Sequence, residues 1–133
     1  MHRIIIAAAA ATAMLLLAGP AVAHGYNYSG VWPVTITGSQ FSNGTGCLTL
    51  NGGASGGGAS LVFGAQKYNY GSFLVIRGTL VATIQEPLYG QNGALLFIGS
   101  ADRARIGPGL FENVEGGSNF DAGKLAFGMK NGC

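Results

Sequence analysis

Few residues in this chain are of a type that does chemistry, and most of those are carboxylates. Glu112 and Glu115, with Asp102 and Asp121, are the candidates for an acid/base pair of the kind that hydrolyses glycosides. Asp121 stands between Phe120 and Ala122 just ahead of a strand, where Asp commonly hydrogen-bonds a turn. The chain has only five acidic residues, which solubility by itself requires. Asp102-Arg103-Ala104-Arg105 is the densest charge cluster. As a solvated loop its local ion pair contributes about 0–1 kcal/mol. As a site, Arg103 and Arg105 would grip a carboxylate, because Arg favours bidentate contacts. Tyr26, Tyr28, Tyr68, Tyr70 and Tyr89 fall in or beside predicted loops. Each offers a flat apolar face with a polar tip, suited either to lining a sugar or peptide site or to capping the end of a barrel. The candidate ligand-binding residues are therefore Tyr68, Tyr70, Tyr89, Arg103 and Arg105.

Other chemistry is excluded by what is missing. The chain has two histidines, His2 and His24, and His2 lies in the leader described below. One remaining histidine leaves no zinc site and no Ser-His-Asp or Cys-His arrangement in residues 24–133. The Gly-rich run Asn51 to Ser60 lacks the Gly-Lys-Ser/Thr ending and following helix of a phosphate-binding loop, and reads as a flexible loop. No metal and no cofactor is implied.

The first residues give an address. Met1-His2-Arg3 is a short basic start, Ile4 to Leu17 is almost unbroken apolar sequence, and Ala21-Val22-Ala23 supplies the small residues of a cleavage site. That order is a secretory signal peptide covering residues 1–23. Its apolar run falls short of the ~20 residues needed to span a bilayer. The expected mature protein, residues 24–133, is one domain in a periplasmic or extracellular space. The whole chain has a formal net charge of +2, to which Arg3 contributes one. So weak a balance gives no footprint for nucleic acid and no polybasic membrane patch. Cys47 and Cys133 are the only cysteines. In an oxidising compartment they are expected to pair within the chain, the alternatives being an intermolecular bridge or two free thiols.

The elements that must position these residues are strands. Trp32, Val34 and Ile36 alternate with Thr35 and Thr37, and Leu80, Ala82 and Ile84 with Val81 and Thr83. Asn43-Gly44 is a signal for a two-residue hairpin turn. Further strands are expected at Cys47 to Leu50, Leu61 to Phe63, Gly71 to Arg77, Ala94 to Ile98 and Lys124 to Met129, with a turn over Pro87 to Gly93. Ile106 to Val114 is expected to hold a short strand or edge segment around Gly107-Pro108-Gly109, and Ala101 to Arg105 a short helical turn. The 24 glycines oppose long helices. The prediction is an all-β fold: a small antiparallel meander barrel of about seven or eight strands, or else a sandwich. Most strand signals last four to seven residues, shorter than the ~9–11 of an outer-membrane barrel.

Gly30-Val31-Trp32, opening the first strand, resembles the G-x-W of calycin barrels such as lipocalins, avidins and bacterial protease inhibitors. The resemblance implies that Trp32 plugs one end of a barrel. The later strand motifs of lipocalins and avidins are not found, and no ligand residue is carried over. A mature chain beginning at His24 also resembles the start of copper-dependent polysaccharide monooxygenases, but their histidine brace needs a second His that residues 24–133 lack. The sequence reading is thus an exported, non-catalytic barrel module that binds a small ligand or a protein partner. A self-associating surface or matrix protein is the alternative, and a carboxylate-based hydrolase comes third.

Overall fold

In an antiparallel sheet successive side chains point to opposite faces, so a strand with one face buried must alternate. That alternation persists around a closed ring in the computed structural model, which describes residues 26–86, 93–115 and 118–133. The residues of the expected leader, His24 and Tyr89 lie outside the described residues.

Nine strands form among the described residues: β1 (Gly30–Thr37), β2 (Gly44–Gly52), β3 (Gly56–Phe63), β4 (Gln66–Tyr68), β5 (Gly71–Ile76), β6 (Thr79–Glu86), β7 (Gly93–Asp102), β8 (Arg105–Glu115) and β9 (Ser118–Phe127). Apart from β4 and β5, which both pair with β3, neighbours in sequence are neighbours in the sheet, and β9 returns to pair with β1. The result is a closed eight-stranded antiparallel meander barrel with β4 as an extra strand on β3. Closure leaves the ring without long unpaired edges. From Leu61↔Tyr68 to Gly58↔Ser72, three steps along β3 match four on its partner, so β4 and β5 are one strand interrupted by a bulge.

The inward phase supplies the core. Trp32, Val34, Ile36, Leu48, Leu61 and Phe73 are buried on one half of the wall, and Leu80, Ala82, Ile84, Phe97, Phe111 and Leu125 on the other. Phe97 and Phe111, paired across β7 and β8, have ring centroids 5.4 Å apart at 59°.

Several sequence expectations are corrected. The run Asn51 to Ser60 is a hairpin rather than a loop, with β2 and β3 paired as far as Gly52↔Gly57. A Cβ on either of those glycines would collide with the backbone opposite, so the close approach itself requires Gly. Asn43-Gly44 is not a two-residue turn. Gly44 opens β2, and Asn43 closes the 38–43 loop by accepting from Ser39 N at 2.8 Å and donating to Ser39 O at 2.9 Å. Ile106 to Val114 belongs to the 11-residue β8, paired on both sides. The supposed helical turn at Ala101 to Arg105 is a two-residue hairpin turn with Arg103 and Ala104 both at positive φ. Met129 lies beyond β9 and is 84% exposed. Most strands have 8 to 11 residues, not four to seven, so length no longer separates this barrel from a membrane one.

The tail is strapped across β1. Pro33 has no N–H to give the ladder, and β9 stops pairing with β1 at Val34↔Phe127. Gly128 N donates to Pro33 O at 2.8 Å, and Asn131 N to Val31 O at 2.6 Å. The chain then reaches β2, where Cys47 and Cys133 form the disulfide, their Cα atoms 6.2 Å apart and 86 residues apart in sequence.

Candidate functional site

The two ends of the barrel are built differently. The lower end receives the chain entering β1, the 53–55, 77–78 and 103–104 turns and the tail. Trp32 is buried there and donates Nε1–H to Tyr28 O at 2.9 Å. Tyr28 is itself buried, and that burial pushes its phenol above the ordinary range. Beside this end runs a groove of about 560 Å³, larger but more open than the upper cavity, bordered by Trp32, Arg105, Ile106, Phe127, Met129 and Lys130.

The upper end holds a cavity of about 250 Å³. Its depth is apolar, formed by Ile36, Leu61, Leu95, Phe97 and Phe111. Phe63 and Tyr68 form one side, and Phe41, Ser42 and Phe120 the rim. Three polar side chains face inward there. Glu86 continues the inward phase of Leu80, Ala82 and Ile84 on β6, while Asn113 and Glu115 continue that of Phe111 on β8. Register brings them together: Glu86 pairs with Gly93 and Gly93 with Glu115, so the two acids flank a glycine on the strand between. Two strand spacings separate their backbones by about 10 Å. Gly93 has no side chain to fill that gap, and Glu86 Oε2 lies 3.5 Å from where its Cβ would stand.

These polar groups are poorly compensated. Glu86 Oε2 and Asn113 Oδ1 are buried without a hydrogen-bond partner, and Asn113 is only 7% exposed. Burial, and then the charge of Glu115, push the Glu86 carboxyl above its ordinary range. Burial, and then the charge of Glu86, push the Tyr68 phenol up as well. An unmatched acceptor in an apolar wall costs about 1–3 kcal/mol, which a donor entering the cavity would recover.

The rim is held by Asp121. Ser39 Oγ donates to Oδ2 at 2.6 Å, Ser42 Oγ at 2.9 Å and Phe41 N at 3.0 Å, while Gln40 N and Ala122 N donate to Oδ1 at 3.0 and 2.9 Å. Burial alone would raise this carboxyl. The donors from Ser39, Gln40, Phe41 and Ser42 outweigh it and hold Asp121 well below the usual carboxylate range. The network fastens the 38–43 loop to β9 and brings Phe41 and Phe120 into a stack, centroids 5.4 Å apart.

The residues singled out from sequence are dispersed. Tyr68 lines the cavity, while Tyr70 is 69% exposed outside it. Arg103 is exposed in the β7–β8 turn and Arg105 borders the lower groove, at the opposite end from Tyr68. The four carboxylates do not form a pair. Glu112 and Glu115 are three apart on one strand and face opposite sides, Asp102 is exposed near the lower end, and Asp121 is committed to its loop. The partner that Glu115 does have is Glu86, to which the Leu80–Ile84 alternation points when extended by one step. Among the described residues no three His, Cys, Asp or Glu side chains cluster as a metal site would require.

A closed meander barrel with Trp32 buried at one end and an apolar cavity at the other is what the described residues define. No protein-family model, curated protein or solved structure matches the chain.

Proposed function

We propose that residues 24–133, exported after removal of residues 1–23, act as a non-catalytic barrel that binds a small ligand in its upper mouth. The observation that carries this reading is the 250 Å³ cavity with an apolar depth and two buried, unmatched acceptors among the side chains that line it. Ligand sites are typically concave and mostly apolar, with a few placed polar groups. A cavity of about 150 Å³ accepts benzene, so this one suits a single ring with a short arm. The Cys47–Cys133 disulfide fits an oxidising compartment outside the cytoplasm. An apolar interior supports a water-borne barrel, since membrane barrels have polar lumens. The position of Gly30-Val31-Trp32 at the lower end supports the calycin-like reading.

The test is a plug. A Cβ at Gly93 would meet Glu86 only at ordinary van der Waals distance, so the wall accepts a side chain there, and Gly93→Val adds two methyls beyond it at the mouth. Titration with 2-phenylethanol, followed by NMR shifts, is expected to perturb residues around the mouth in the parent and leave folded Gly93→Val unaffected. Binding that survives the plug, or no binding by the parent, refutes the reading.

One observation favours the self-association alternative. Leu74, Val81, Ile98 and Leu110 pair in register across β5 to β8 on the outer face, making a partly exposed apolar row. Concentration-dependent elution on sizing chromatography, abolished by Leu110→Lys, would support that reading. A monomer at every concentration would reject it.

A further inference from the structure

We propose that the barrel mouth selects an organic cation, a protonated amine on a small apolar or aromatic body, held by Glu86, Glu115 and the Asn113 carbonyl oxygen. The proposal rests on the small-ligand reading above and adds the ligand's chemical class.

Three observations lead to it. The unmatched atoms, Glu86 Oε2 and Asn113 Oδ1, are both acceptors, so the site lacks donors. An ammonium brings up to three. The second observation is the register that sets two carboxylates on either side of Gly93, which puts no side chain of its own between them. Two carboxylates that repel one another bind a cation placed between them better than a neutral donor. Third, the surroundings are carbon: Phe63, Phe97, Phe111 and Tyr68 close round the polar group. Aromatic walls favour an organic cation, which carries its own apolar body and gains from the ring quadrupoles. A calcium ion would need six to eight oxygens and would lose water to these walls without replacement.

The groups facing Glu86 set the pH behaviour. They are Tyr68 from β4 and Glu115 from β8, while β7 contributes Gly93 and Leu95. Because the Glu86 carboxyl is held above its ordinary range, amine affinity should rise with pH as Glu86 ionises.

The experiment compares phenethylamine, 2-phenylethanol and calcium chloride by isothermal titration of the disulfide-intact exported protein at pH 8. The amine is expected to bind at least about tenfold more tightly than the alcohol, as a charge-assisted contact implies. Glu86→Gln and Glu115→Gln should each remove most of that preference, bringing amine affinity down towards that of the alcohol. Glu86→Gln removes a carboxyl whose ionisation burial opposes, so it should melt no lower than the parent at pH 8, which shows that it folds. Equal binding of amine and alcohol overturns the cation proposal but leaves the cavity as a ligand site. Calcium displacing the amine overturns it in favour of a metal site. Binding of neither organic probe overturns the proposal together with the reading beneath it.

Discussion

Asp121 was a candidate acid by type, yet its surroundings give it the opposite of a catalytic environment. Five donors converge on its two oxygens and fix it in the ionised form. A group so engaged has no free lone pair to offer a substrate. Asp121→Asn presents an NH₂ to donors that need an acceptor, and is expected to cost about 2–3 kcal/mol at pH 7, measured by urea unfolding. The sign of the pH dependence follows from the lowered pKa. Asp121's contribution is fully present above the ordinary Asp value of about 3.9 and is lost as pH falls through its lower folded value. The gap between parent and variant should therefore be widest near neutrality and narrow in acid. Glu86 is the reverse case, a carboxyl whose pKa is raised by burial and then by the charge of Glu115. Its environment is the one in which an arriving positive charge has most to gain.

Among the elements, the β7–β8 hairpin carries the clearest strain. Arg103 and Ala104 sit at φ of 51° and 61°, where Asn-Gly would be the natural pair. Left-handed backbone costs a non-Gly residue about 1–2 kcal/mol. Replacing Arg103-Ala104 by Asn-Gly should therefore raise stability by about 1 kcal/mol, after allowing for glycine's freedom in the unfolded chain. Thermal unfolding should report the relief of that strain. A lower melting temperature would mean that Arg103 makes a contact worth more than the strain. The β5–β6 turn, by contrast, places Gly78 at one of its two positive-φ positions, beside Arg77. The sequence signal at Arg103-Ala104 was weak for that same reason, since neither residue marks a tight turn.

The disulfide acts on the whole molecule. It ties the end of the tail to β2 across 86 residues, and in the chain-entropy model a loop of that length contributes about 4–5 kcal/mol. That is comparable to the entire stability of a small domain. Cys47→Ser with Cys133→Ser should lose an amount of that order in guanidinium unfolding, and reductant should lower the melting temperature of the parent but not of the double variant. Loss of less than about 1 kcal/mol would mean that the β1–β9 ladder and tail hydrogen bonds hold the ring closed unaided.

What the sequence by itself determined is whatever repeats locally with period two. The all-β class, the inward set Trp32, Val34, Ile36, Leu80, Ala82 and Ile84, and the pairing of Cys47 with Cys133 could all be read along the chain. Glycine hid part of the fold, because it leaves no mark in a periodic pattern. The hairpin of Asn51 to Ser60 looked like a loop, and β8 looked like an edge where Gly107-Pro108-Gly109 broke the phase. The site was hidden for a different reason. Glu86 and Glu115 are 29 positions apart and meet only because β6, β7 and β8 lie in one register, with Gly93 between them. Alternation decides which face a side chain takes, but only ring closure and strand register decide which side chains share an end of the barrel.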